Sequence, residues 1–367
     1  MAAVVIVLAA IAPAEITGAV GLATALVTPF FAATGGNLRM LSVAGGARSI
    51  SSATRARARL VSLVSLGLVV VAWLASGQLT DTAIYVAAAV CAWRAGDLAW
   101  DELALRREVD RGPSAAASLV VVRHAVMAIV VLITAMSKLE AAALLATIPL
   151  AYALAGAFWL QRAGRGAIEP DVAPGGLRRA LALSMASVTA GLGMLLLRQR
   201  LAVSSGTDEV GVYFSVIGPL GIVGVAVTGL GLYANRGACD RRRVFRGILT
   251  GTVVAMMVLL TTLLAATIPL PDVFGAGSLA TVWQDLRGVS VPIAVLAGTT
   301  VISALQEPVV VARRRERGNA IMEIVVALLL VVVLFTTPIP MTWQAMLALT
   351  AGWMSLRAAS RSALAGL

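Results

Sequence analysis

Residues 289–337 read VSVPIAVLAGTTVISALQEPVVVARRRERGNAIMEIVVALLLVVVLFTT. Two apolar runs, about 289–311 and 319–337, flank the cluster Arg313-Arg314-Arg315-Glu316-Arg317. Each run has roughly the 20 residues a helix needs to cross a bilayer. The basic turn between them has the composition of a short cytoplasmic loop. Outward from this pair the same unit recurs along the chain. Apolar runs fall at 2–13, 16–35, 60–77, 82–104, 115–136, 140–160, 180–203, 210–234, 247–269, 289–311, 319–337 and 341–358, which makes twelve.

Arginine placement tests that count, because basic residues concentrate in every second loop of a membrane protein. One set of connections holds Arg39, Arg48, Arg55, Arg57 and Arg59, then Arg106, Arg107 and Arg111, then Arg162, Arg165, Arg178 and Arg179. It continues through Arg236, Arg241, Arg242, Arg243 and Arg246 to the 313–317 cluster and to Arg357 and Arg361. The opposite connections, at 12–15, 77–81, 137–140, 204–209, 271–287 and 338–340, carry only Lys138 and Arg287. Inserting or deleting one interior span would destroy the alternation. An even count with both termini cytoplasmic follows. The first run is the exception in length: Met1–Ala12 makes about 18 Å of helix against a hydrocarbon core of about 30 Å. It reads as a short first helix rather than a cleaved signal peptide, since it lacks a basic leading segment.

Composition agrees with a lipid-facing protein. The chain has 367 residues, 59% of them hydrophobic and 13% charged, with a mean hydropathy of +0.93. Soluble domains carry about 25% charged residues, so this surface lacks a polar coat. The net charge of +11 sits in loop clusters, and aromatics are 5%. That pattern fits topology signals and anionic headgroups rather than nucleic acid. Cys91, Cys239 and the sole histidine, His124, form no metal or redox motif. No phosphate-binding loop ending in Lys-Ser/Thr is present, and the loops are too short for a soluble catalytic domain. The chain is read as a monomeric non-enzyme without cofactors.

A repeat divides the chain. Glu15-Ile16-Thr17-Gly18 leads into a run ending at Asn37-Leu38-Arg39, and Asp208-Glu209-Val210-Gly211 leads into one ending at Asn235-Arg236. In the same order, Leu105-Arg106-Arg107-Glu108 follows the fourth run and Ala312-Arg313-Arg314-Arg315-Glu316 the tenth. Two halves in one orientation imply a pseudo-twofold axis along the membrane normal. The halves are 1–165 and 180–367, joined by a cytoplasmic linker at 166–179.

The acidic–glycine start of the second run in each half, the Arg-rich turn after the fourth, and the segments Ala83–Gly112 and Leu181–Arg246 together resemble the multidrug/oligosaccharidyl-lipid/polysaccharide flippase superfamily. The likeness is greatest to its O-antigen and polysaccharide branch. It is one of pattern over nearly the whole chain, and the short first helix departs from it. The resemblance implies an all-α fold of about twelve transmembrane helices in two six-helix lobes around a central cavity. It also implies alternating access, an undecaprenyl-diphosphate-linked glycan as cargo, and coupling to a proton or cation.

Ionisable residues inside the runs are the candidate site, since each costs about 2.5–3.5 kcal/mol at the bilayer centre unless partnered or wetted. Arg94, Asp97 and Asp101 share a face of the fourth run. Either Arg94 and Asp97 neutralise one another, or Arg94 faces a diphosphate with its planar fork. Arg123 is a second substrate-binding candidate or a side chain reaching to the interface, and His124 a proton-coupling candidate or a packing residue. Arg198 is a third substrate-binding candidate, on the seventh run. Glu307, preceding Pro308, is a hinge or cation site or a water-facing carboxylate, while Glu323 reads as interfacial. Three rival readings remain: a cation-coupled drug exporter of the same superfamily, a membrane-embedded glycan-processing enzyme, and an inactive scaffold.

Overall fold

A computed structural model describes residues 9, 12–34, 81–111, eight positions between 115 and 126, and 141–162, 176–234, 241–268, 278–336 and 342–366. The predicted runs at 2–13, 60–77 and 115–136 lie wholly or mostly outside the described residues. The described residues are all-helical, without strands.

The helices are α1 (Ala14–Thr34), α2 (Asp81–Arg111), α3 (Ala141–Arg162), α4 (Gly176–Ser205), α5 (Thr207–Ala234), α6 (Arg241–Ala265), α7 (Ser278–Gln284), α8 (Leu286–Ala312), α9 (Glu316–Thr336) and α10 (Trp343–Gly366). Nine of them coincide with predicted apolar runs. The tenth, α7, is a short helix inside the loop read at 271–287. Helix ends run past the apolar limits. Charged residues extend α2 to Arg111, α4 starts at Gly176 within the predicted linker, and α10 continues to Gly366 rather than 358.

Among the described residues, four segments are long and apolar enough to cross a membrane: Leu181–Ser205, Val244–Ala265, Leu286–Ala312 and Glu316–Thr336. Their outer faces carry the signature of lipid contact. On α6, Leu249, Val253, Met256, Leu260 and Leu264 are exposed, and on α9 so are Ile321, Val325, Leu328 and Val332. Contiguous exposed apolar surface on this scale needs a non-aqueous neighbour. The chain is a helical membrane protein.

Two turns are tight. Gly206, with φ +94°, alone separates α4 from α5, and its N–H bonds to the Ala202 carbonyl at 3.0 Å. A left-handed glycine ending a helix is the standard stop. Between α8 and α9 the Arg313–Arg315 turn puts Arg314 at φ 57°, and the Arg315 N–H donates to Val310 O at 3.0 Å.

Without a hydrophobic force between helices in lipid, close packing rests on small residues. α1 crosses α5 where a Cβ on Gly18 would overlap the Thr207 carbonyl, and one on Gly211 the Ala14 carbonyl. These glycines belong to the two repeated acidic–glycine starts. α4 flanks the same crossing. In the second half, α6 crosses α8 where a Cβ on Gly298 would come within 2.8 Å of both Ala255 Cβ and Gly251 O. The larger core gathers Leu197, Tyr213, Leu296, Leu330, Trp343 and Leu347 from five helices.

Candidate functional site

The first cluster is built on α2 and α3. Gly96 and Gly156 let these helices close onto aromatic rings: a Cβ on Gly96 would lie 2.6 Å from Tyr152, and one on Gly156 2.9 Å from Trp100. Tyr152 stacks against Trp93 at 5.0 Å between centroids and against Trp100 at 6.2 Å. The Trp100 indole N–H donates to the Tyr152 carbonyl at 3.4 Å. This wall directs the Tyr152 hydroxyl onto Asp97, to which it donates at 2.9 Å.

Asp97 is the hub. Its Oδ2 accepts from Arg94 at 3.1 Å, and its Oδ1 accepts from Arg123 at 3.3 Å as well as from Tyr152. Arg123 also donates to Asp101 at 3.3 Å, and its guanidinium lies 5.6 Å from the Tyr152 ring centre. Three of the predicted residues, Arg94, Arg123 and Asp97, therefore meet. The intrahelical Arg94–Asp97 pair forms, and Arg123 joins it from a separate segment. The side chains of Arg94, Asp97 and Arg123 are 23%, 19% and 10% exposed, neither sealed nor open. His124 lies outside the described residues.

Arg198 stands apart. It is buried in α4, and its Nη1 donates to the Gly21 carbonyl of α1 while its guanidinium lies 4.6 Å from the Phe214 ring centre of α5. Where the sequence suggested a cavity wall, the side chain clamps the α1–α5 crossing. On α5 and α10, Tyr213 and Thr350 share a 2.8 Å hydrogen bond.

Glu307 belongs to a second cluster at the arginine-rich ends of α8, α9 and α10. Arg361 bridges Glu307 at 3.1 Å and Glu323 at 3.0 Å. Arg357 grips Glu323 with two bonds, Nε to Oε2 at 2.7 Å and Nη2 to Oε1 at 3.0 Å. Glu323, read as interfacial, is 3% exposed. It sits two turns inside α9 and faces α10, so protein rather than water satisfies it. A third pair ties α4 to α9, Arg179 donating from Nε to Glu316 at 2.6 Å and from Nη2 to Val311 O at 2.9 Å.

Sequence reasoning missed Tyr152, Arg357 and Arg361. Tyr152 lies 55 positions from Asp97 in an apolar run. Both arginines read as charge at the C-terminal end; Arg361 lies beyond the predicted run, which stops at 358, and Arg357 in its last turn. Among the described residues no group of three or more His, Cys, Asp or Glu side chains is arranged to hold a metal ion. Comparison with known protein families, with curated proteins and with solved structures gives no match for this chain.

Proposed function

We propose that the chain is an alternating-access flippase of the cytoplasmic membrane, with both termini cytoplasmic and two six-helix halves about a central cavity. On this reading it moves a lipid-linked oligosaccharide or polysaccharide precursor between leaflets, as the resemblance to the polysaccharide flippase branch implies. Undecaprenyl diphosphate carries the glycan, and a proton or cation gradient drives the cycle.

One observation carries the reading. Arg94 and Arg123 stand partly exposed inside a helix bundle, shared by the Asp97 carboxylate and walled by Trp93, Tyr152 and Trp100. Guanidinium groups pair with the oxygens of a diphosphate, and flat aromatic rings offer an apolar face beside them. Held carboxylates keep the arginines oriented between cargo arrivals. The crossing of the repeat-related helices α1 and α5 at Gly18 and Gly211 supports the two-half architecture. An exporter of cations needs a carboxylate with spare charge, and Asp97 already accepts from three donors, which weighs against that alternative.

The test is translocation of a lipid-linked glycan in vesicles holding the purified chain. Arg94→Ala is expected to slow flipping at least about tenfold, the worth of one charge-assisted hydrogen bond, and Arg94→Lys to restore part of the rate. Flipping by Arg94→Ala at the parent rate would remove Arg94 from the site. A parent no faster than protein-free vesicles would overturn the whole reading.

A further inference from the structure

The first half of the chain touches the second at arginine-poor helix ends. α1 packs against α4 and α5, with Gly18 beside the Thr207 carbonyl and Gly211 beside the Ala14 carbonyl. The Ser278 hydroxyl of α7 donates to the Ala9 carbonyl at 3.3 Å. About one turn deeper, the Phe214 ring occupies the space that a side chain on Gly21 would need. Beyond that level the seal ends. Every residue of α5 from Val210 to Ile217 is buried, whereas Gly221 is exposed and Val223 is 40% exposed. The change falls at Pro219, inside the helix. Proline cannot donate to the carbonyl four residues back, here that of Ser215, so the helix is free to bend there.

This junction encloses a charge that it does not neutralise. Arg198 is 4% exposed. Its Nη1 donates to the Gly21 carbonyl and its guanidinium faces the Phe214 ring, while Nε is buried without an acceptor. Among the described residues no Asp or Glu pairs with it, unlike Arg123, Arg357 and Arg361. The Gly21 carbonyl lies inside α1, where the helix already supplies a donor. A guanidinium keeps its charge in a protein, and a charge taken out of water without an opposite partner costs free energy that one carbonyl and one ring return only in part. An apolar side chain would hold these helices together better. Parting of α1 from α4 and α5 would give the guanidinium back to water.

We propose that the contact of α1 with α4 and α5 is a gate between the halves, and that the dry charge of Arg198 keeps this gate reversible. In the closed form Gly21 and Phe214 hold the guanidinium. On opening, α5 bends at Pro219, the guanidinium is hydrated, and the cost of keeping it dry is recovered. Arg198 thus biases the gate towards opening, although its visible contacts are those of a clamp. The inference rests on the two-half reading but not on what the protein carries.

Labelling of a buried reporter cysteine measures the opening. Cys91 and Cys239 are replaced by serine, and Thr17→Cys or Ser215→Cys is introduced. Thr17 and Ser215 are buried on α1 and α5, next to Gly18 and one turn from Gly211. The full chain is placed in lipid nanodiscs, where both membrane faces meet an impermeant maleimide. Both reporters are expected to label slowly while Arg198 is present. With Arg198→Met they are expected to label at least about tenfold more slowly, because the closed form no longer holds an unpaired charge, and the thermal midpoint is expected to stay or rise. A clamp predicts the reverse. Faster labelling with a lower midpoint, or an unchanged rate, would overturn the proposal, and so would reporters that never label with Arg198 in place. If Arg198→Met fails to fold, Arg198→Gln, neutral and still a donor, is read by the same criterion. Reporters that behave as expected in a chain that moves no lipid-linked glycan would uphold the gate and overturn the cargo reading alone.

Discussion

Asp97 and Glu323 each accept from more than one donor, and both do so within helices that run through the bundle. Each is a carboxylate shared by two arginines. Such arrangements need not add stability over an apolar replacement, yet removing one member strands the rest. Glu323→Gln leaves Arg357 and Arg361 half-partnered at a site that is 3% exposed. It is expected to cost about 3–5 kcal/mol, read as a fall in the thermal denaturation midpoint in detergent. The pair Glu323→Leu with Arg357→Met should recover most of that loss, because Arg361 keeps Glu307. A double variant no better than the single one would mean that the charges themselves hold the helices together.

At this scale the sequence was legible only where partners are close in it. Arg94 and Asp97 are three positions apart, so their pairing follows from helical periodicity. Nothing local ties Tyr152 to Asp97 or Arg198 to Gly21, because those contacts exist only once distant helices have packed. Gly96 and Gly156 were the available signal. A glycine within an apolar helix marks a place where something large comes close, and here that is Tyr152 and Trp100.

Helices were easier to read than contacts. Continuous apolar runs leave the backbone no option in lipid but to satisfy itself internally, so nine runs reappear as helices among the described residues. Ends were harder, since a helix stops where its caps and packing stop and not where hydrophobicity does. Arg361 shows this: α10 continues past 358 through Arg361, which pairs with Glu307 of α8 and Glu323 of α9. Glycines that let helices touch are expected to be intolerant, and others indifferent. Gly18→Ala puts a methyl into the Thr207 carbonyl and should cost at least about 1–3 kcal/mol, as overpacking does. Gly352→Ala meets nothing within 4 Å and should be neutral or stabilising by up to about 1 kcal/mol. Thermal denaturation of the two variants side by side makes the comparison. Equal losses would show that α1 and α5 do not meet at Gly18.

For the whole molecule, the long-range contacts sort the helix ends into two groups. Arg179 meets Glu316, Arg361 meets Glu307, and the Gln306 amide donates to Val244 O, all at arginine-rich ends. At the arginine-poor ends the Trp343 N–H donates to Glu209 at 2.9 Å and the Gln344 amide to Asp285 at 2.8 Å. Among the described residues of α4 and α8–α10, the arginines at 179, 313, 314, 315, 317, 357 and 361 thus gather at one end. The proposed cavity between halves and the proposed cargo were not legible from composition; that proposal rests on resemblance and on the Asp97 cluster.

Arginine-rich and arginine-poor ends on opposite faces of one membrane is the claim on which the rest stands, and cysteine accessibility tests it most directly. Cys91 and Cys239 are first replaced by serine, and single cysteines are then placed at Gln284, Thr336, Arg246 and Arg315, all exposed. An impermeant maleimide is expected to label Gln284→Cys and Thr336→Cys in intact cells, and Arg246→Cys and Arg315→Cys only after the membrane is opened. Labelling of a position from each group on the same side would contradict the account.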